Sequence, residues 1–171
     1  MEKKNAKLDG LTAIVTGAGS SGPGFGTGKA ISVLLAREGA KIALVDMFED
    51  RANETLQLIK DEGGEAAVVT ADLSDTSSYR RVVDETVARF GGVDILVNNA
   101  AVASSTGILD TSQELYDKII AVNLTAPFML SKAVIPLMAE RGGGAIVNIT
   151  SITALRGQGG KGTAAYSASK A

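Results

Sequence analysis

The sequence predicts an α/β protein built on a doubly wound parallel sheet. Three observations carry that prediction. Short apolar runs alternate with helical patterns along the whole chain, the order of repeated βαβ units. Several of those runs, such as KIALVD at 41–46, are apolar without alternation, as in strands covered on both faces. A glycine-rich stretch, TGAGSSGPGFGTG at 16–28, separates the first strand from the first helix.

The elements follow in order. Residues 1–10 read as a polar lead-in, and 11–16 as a buried strand. The stretch 16–28 offers two registers. Gly17, Gly19 and Gly22 match G-x-G-x-x-G, but a helix starting near Ser20, with Pro23 in its first turn, would carry Gly24, Gly26 and Gly28 in its body. Each glycine there costs up to about 1 kcal/mol against alanine. A helix from Thr27 to about 38 keeps them in the loop, stops at Gly39, and gives Ala30, Ile31, Leu34 and Leu35 one buried face. Strand 41–46 is followed by a helix over 50–62, ended by Gly63 and Gly64. Strand 66–70 leads to a helix opened by Ser74 and Asp75 and running to Phe90. After Gly91 and Gly92 comes strand 94–98. A helix over 111–122, capped by Thr111 or Ser112, precedes a further helix to about 141, with Pro136 as a kink. Strand 145–150 and a glycine-rich loop lead to a last helix from about Thr163. Right-handed crossovers make this one doubly wound domain over 1–171. Five strands and the glycine loop argue against a closed barrel.

Composition narrows the function. The chain has 171 residues, 45% hydrophobic and 21% charged, with net charge −2. That is a globular balance. Basic residues cluster only at Lys3, Lys4 and Lys7, so nucleic acid and acidic membranes are not expected partners. With no cysteine and no histidine, disulfides, the usual zinc sites and histidine-based triads are excluded, and no metal ligands are expected. No signal-peptide pattern opens the chain and no apolar run reads as long enough to span a bilayer, so the cytoplasm is the expected location.

The candidate site residues fall at strand ends. In the 16–28 loop, Gly17, Ser20, Gly26 and Gly28 are the candidates for holding a pyrophosphate, because glycine lets backbone N–H groups approach and a helix N-terminus adds oriented donors. Asp46 ends the second strand 20 residues after Gly26. A dinucleotide fold places a ribose-binding carboxylate there. Such a carboxylate repels a 2′-phosphate, and Met47 and Phe48 supply no arginine to bind one, so NAD is expected in preference to NADP. Asp72 and Leu73 follow the third strand at the same edge. Asn98 and Asn99 end the fourth. Tyr166 and Lys170 stand four apart and share a helix face. An ammonium near a phenol stabilises phenolate, a group suited to shuttling a proton. Ser151, after the fifth strand, points into the same crevice.

Together these residues resemble the short-chain dehydrogenase/reductase family: TG…GTG, Asp46, ADL at 71–73, NNAA at 98–101, Asn123, NITS at 148–151 and YSASK at 166–170. The resemblance implies a Rossmann-like fold and hydride transfer between a nicotinamide and a carbonyl or alcohol carbon of a small molecule. It implies Tyr166 as general acid/base, Lys170 as its tuner and ribose anchor, Ser151 as substrate orienter, and Asn123 in a proton relay. Asp72 would meet adenine, and Leu73 and Asn99 the cofactor. Three departures stand out. The glycine loop is five residues longer than the family's usual form. NNAA ends in alanine where the family has glycine. The interval from Ser151 to Tyr166 is two residues longer than usual, with RGQGGKGT at 156–163 expected to absorb it. Ser151 is favoured over Thr150 as the substrate-facing hydroxyl. Family members continue past the equivalent of Ala171. The expectation is therefore a C-terminally incomplete fold whose fifth strand is an apolar edge, catalytically poor by itself, with a homo-oligomer in the full-length form. The alternatives are a non-catalytic dinucleotide-binding fragment or sensor, or an epimerase or dehydratase of related fold.

Overall fold

The computed structural model describes residues 6–22, 24–156 and 163–171. Pro23, the basic lead-in at 1–5 and most of the RGQGGKGT loop lie outside the described residues.

Five strands form one parallel sheet: β1 (Thr12–Thr16), β2 (Lys41–Asp46), β3 (Ala66–Thr70), β4 (Ile95–Asn98) and β5 (Ala145–Asn148). The order is β3-β2-β1-β4-β5. The direction of strand addition reverses between β1 and β4, and the C-terminal ends there open a crevice. Helices α1 (Thr27–Arg37), α2 (Glu49–Asp61), α3 (Ser78–Phe90), α4 (Gln113–Ile120), α5 (Ala126–Glu140) and α6 (Ala164–Lys170) complete the chain. One apolar cluster, with Val33, Ile42, Leu44 and Ile59, packs under α1 and α2; the other, with Val82, Leu96, Leu130 and Val134, packs under α3 and α5. Residues of β1 and β2 are buried on both faces, as their unalternated apolar sequences require.

Four expectations need correction. The buried face of α1 is Gly28, Lys29, Ser32, Val33 and Ala36, while Leu34 is exposed. Gly28 lies so close to β1 that a Cβ would run into the Gly17 carbonyl oxygen. The small stripe Gly28, Ser32, Ala36 therefore turns to the sheet, and Leu34 turns away. Helix α3 starts at Ser78 rather than Ser74, because Asp72 and Asp75 fold the preceding residues into turns through Ser74 and Ser77. β5 stops at Asn148, two residues short of Thr150.

The fourth concerns the helices at 111–141. Instead of two, Gln113–Glu140 is one 28-residue helix, with a π turn at Ala121–Thr125 joining α4 to α5. By length and composition alone it would cross a membrane. Its stripe Ile119, Val122, Ala126, Leu130, Val134 and Met138 is buried within the fold, which makes it a core helix. β5 lies at one end of the sheet order, with Val147 exposed.

The N-terminal edge of the sheet is tied separately. Asp94 accepts from the Thr12 backbone N–H at 2.8 Å and from Arg141 at 2.7 and 3.2 Å. Burial pushes its carboxyl up, but Arg141 and the Thr12 N–H outweigh that and hold it below the ordinary carboxylate range.

Candidate active site

A cleft of about 340 Å³ opens at the C-terminal ends of β1, β2, β3 and β4. Gly17, Ser20, Gly26, Gly28, Asp46, Asp72, Leu73 and Asn99 all line it, so every cofactor candidate outside α6 converges on one cavity.

Each is held there for a physical reason. Gly17 has φ of 64°, and a Cβ would come within 2.9 Å of the Ala100 Cα. Both the left-handed conformation and the close approach demand glycine. The lengthened loop closes on itself: the Gly26 N–H donates to Ser20 Oγ at 2.7 Å. Gly26 is the N-cap of α1 and provides no side-chain cap. Helical geometry gives the N–H groups of Thr27, Gly28 and Lys29 no carbonyl within the helix. With no acidic side chain in that turn, the α1 N-terminus keeps its partial positive charge toward the cleft. The expected donor at Gly26 is spent on Ser20, so the first turn of α1 supplies the candidate donors.

Asp46 is fixed from two sides. Its Oδ2 accepts from the Gly19 N–H at 2.9 Å and its Oδ1 from the Phe48 N–H at 3.0 Å. Asp72 Oδ1 accepts from the N–H and the hydroxyl of Ser74. Those bonds, the backbone one first, hold its carboxyl below the ordinary range. Asn99 Nδ2 donates to the Thr16 and Gly17 carbonyls at 2.9 and 3.0 Å, which stitches β4 to the start of the glycine loop. Asn98 meets its register partner across the strands, donating to Asn148 Oδ1 at 2.8 Å.

The four catalytic candidates lie around α6 and the π turn. Lys170 is 9% exposed, and its Nζ donates to the Ile149 carbonyl at 2.8 Å just past β5. Burial lowers its pKa from the ordinary lysine value. Lys170 and Asn123 line a second pocket of about 370 Å³ with Asn98, Asn148 and Ser169. Asn123 holds Val102, just after β4, and Ser169 on α6. Ser151 caps a short 3₁₀ turn, accepting from Thr153 N and Oγ1 at 3.3 and 3.0 Å. Among the described residues no acceptor takes its own hydrogen. Tyr166 sits on α6 and is half-buried. Neither Ser151 nor Tyr166 is among the residues lining the cleft.

Sequence reasoning missed several contributors. Thr16 Oγ1 accepts from both the Asn99 and Ala100 N–H groups at 3.0 Å; the threonine of the TG pair was its only signal. Arg51 and Lys118 also line the cleft, and Arg51 stacks on the Phe48 ring at 3.9 Å from its centroid. Arg51 lies in the first turn of α2, beyond Met47 and Phe48 at the strand end. Buried Lys29 pairs with Glu54 at 2.9 Å, pinning α1 to α2.

Comparison with known proteins places this geometry in a family. A family model described as short chain dehydrogenase matches residues 11–171. An uncharacterized oxidoreductase of Thermotoga maritima is 43% identical over 150 residues, covering 88% of this chain and 57% of that protein. The crystal structure of a metagenomic short-chain oxidoreductase in complex with NADP superposes with a TM-score of 0.87 at 33% identity, covering 96% of this chain and 72% of that one. A 7α-hydroxysteroid dehydrogenase complexed with NADH and 7-oxo glycochenodeoxycholic acid gives 0.88 at 33% identity, covering 97% and 62%. The chain spans about three fifths of the length of the curated relatives it matches first.

Proposed function

Because the chain belongs to the short-chain dehydrogenase family, we propose that it carries the cofactor-binding and proton-transfer half of an NAD-dependent oxidoreductase. The substrate is a small molecule with a carbonyl or secondary alcohol, and the enzyme works in the cytoplasm as a homo-oligomer.

The observation that carries the reading is the cleft, whose walls combine three chemistries that a dinucleotide needs. The first turn of α1 offers backbone donors for the pyrophosphate. Asp46, oriented by Gly19 and Phe48, offers a charged acceptor for a ribose diol. Ala71, Leu73 and Val122 offer an apolar slot beside Asp72. The relatives with NADP and NADH make such an occupant reasonable here.

When bound, the nicotinamide supplies or accepts the hydride. The protein's part is binding and proton movement. Tyr166 exchanges the proton with the substrate oxygen through its phenol. Lys170, one helical turn on, steadies the phenolate and holds the nicotinamide ribose. Ser151 donates its hydroxyl hydrogen to the substrate oxygen and so orients it. Asn123 supports the relay from the π turn.

Arg51 favours a second reading, in which NADP is also accepted, because it brings a positive charge to the lip beside Asp46. Fluorescence titration with NADH and with NADPH separates the two. Tighter NADH binding supports the first, and equal affinity supports the second. Binding of neither would overturn both. Tyr166→Phe should then abolish turnover while NADH binding persists; retained turnover would remove Tyr166 from its role.

A further inference from the structure

We infer that Ser169 is the positioning residue that couples the cofactor cleft to Tyr166 and Lys170; this rests on the oxidoreductase reading above. The argument starts from a donor that has no choice. The Val102 backbone N–H can only donate, and the Asn123 amide atom 2.8 Å away must therefore be Oδ1. Nδ2 then faces two acceptors, the Val102 carbonyl at 3.0 Å and Ser169 Oγ at 2.9 Å. Both amide hydrogens are spent. Ser169 Oγ has to accept from Asn123, so its single hydrogen goes to the Tyr166 carbonyl at 2.7 Å. The direction of every bond is fixed by the first.

The chain thus runs from Val102, in the wall of the cleft, through Asn123 on the π turn, to the backbone of Tyr166. Lys170 follows Ser169 directly. Asn123 and Ser169 are 5% and 6% exposed, so water is a poor substitute for either bond. Aligned bonds in a dry site reinforce one another. At this position the side chain must both accept and donate. An alanine there strands an Asn123 amide hydrogen and frees α6 to shift against the π turn. The expected result is that groups meeting the nicotinamide riboside move, while the adenosine half of the cleft, built on α1, β2 and β3, does not.

The test compares two probes, NADH and ADP, by calorimetric titration. Ser169→Ala should weaken NADH roughly three- to tenfold, the range for one buried hydrogen bond, with ADP affinity unchanged. Ser169→Thr, which keeps the hydroxyl, should restore NADH affinity. Equal losses for NADH and ADP would overturn the inference, since they would indicate damage to the fold. Ala and Thr variants weakened alike would overturn it too, because packing and not the hydroxyl would be responsible. Lys170→Ala separates this inference from the reading beneath it. If Lys170→Ala weakens NADH selectively and Ser169→Ala does not, Ser169 loses its role and the reading stands. If Lys170→Ala leaves NADH unchanged, or if the parent protein binds neither probe, the reading fails and takes the inference with it.

Discussion

The backbone N–H of Gly19 donates to the Asp46 carboxylate at 2.9 Å, so the glycine loop and the end of β2 are one hydrogen-bonded unit. A Cβ at Gly19 would come within 2.6 Å of the Arg51 Cβ and 3.0 Å of Asp46 Oδ2. The carboxylate therefore has two tasks: it shapes the loop and it presents a negative charge to whatever enters the cleft.

Removing that charge should change cofactor choice. Asp46→Ala is expected to weaken NADH by about ten- to a hundredfold, the worth of hydrogen bonds to a charged group. The preference for NADH over NADPH should narrow or reverse, because the repulsion of a 2′-phosphate disappears and Arg51 remains. Titration of both nucleotides checks it. An unchanged ratio would mean that Asp46 acts on the loop alone.

Gly28 tests the packing of α1. An alanine inside a helix is normally favoured over glycine by about 1 kcal/mol. Here the added methyl runs into the Gly17 carbonyl oxygen and comes within 2.6 Å of Asn99 Nδ2. Gly28→Ala should therefore destabilise by about 1–3 kcal/mol, as overpacking does. Gly22, with nothing within 4 Å, supplies the control. Urea unfolding that ranks Gly28→Ala at or above Gly22→Ala would refute the argument.

The same glycine shows what was legible in the sequence. Gly28 is set apart by the glycine pattern, and the start of α1 at Thr27 follows from the cost of glycine in a helix body. The residue face that α1 buries does not follow, because it depends on how closely the helix meets β1. Strand ends are legible for a similar reason: an apolar run stops where Asp46 or Asn98 must reach solvent or a partner. What stays hidden is contact across long sequence separation. Nothing local announces that Asn123 holds Val102 and Ser169, or that Arg51 reaches back to the β2 end. The π turn is hidden too. A polar residue amid an apolar stripe reads as a break between two helices, whereas Asn123 spends its amide on neighbours and the helix runs on.

Thr16 carries a prediction that depends on those distant contacts. Its Oγ1 accepts from the N–H groups of Asn99 and Ala100, and donates to the Val97 carbonyl at 3.3 Å. Valine has nearly the same shape but leaves both N–H groups without that acceptor. Thr16→Val should cost about 2–4 kcal/mol on the scale of stranded buried donors. Thr16→Ser, which keeps the oxygen, should cost much less. Chemical denaturation of the two variants decides it, and equal losses would show that the methyl matters more than the hydroxyl.

Lys170 makes stability depend on pH in the alkaline range. Burial lowers its pKa in the folded protein from the ordinary value, while the unfolded chain keeps a lysine near 10.4. Between those two values the unfolded chain holds a proton that the native state has released. Stability therefore rises with pH across that window. The contribution is fully present above about pH 10.4 and lost as pH falls through the folded pKa. Replacing Lys170 by methionine removes the titrating group and with it this rise. Urea unfolding of parent and Lys170→Met at a series of pH values should give curves that diverge toward alkaline pH, the parent gaining on the variant. Other titrating groups are common to both proteins and cancel in the difference. Parallel curves would mean that the Lys170 ammonium is as comfortable in the fold as in water, and that its bond to the Ile149 carbonyl offsets the burial completely.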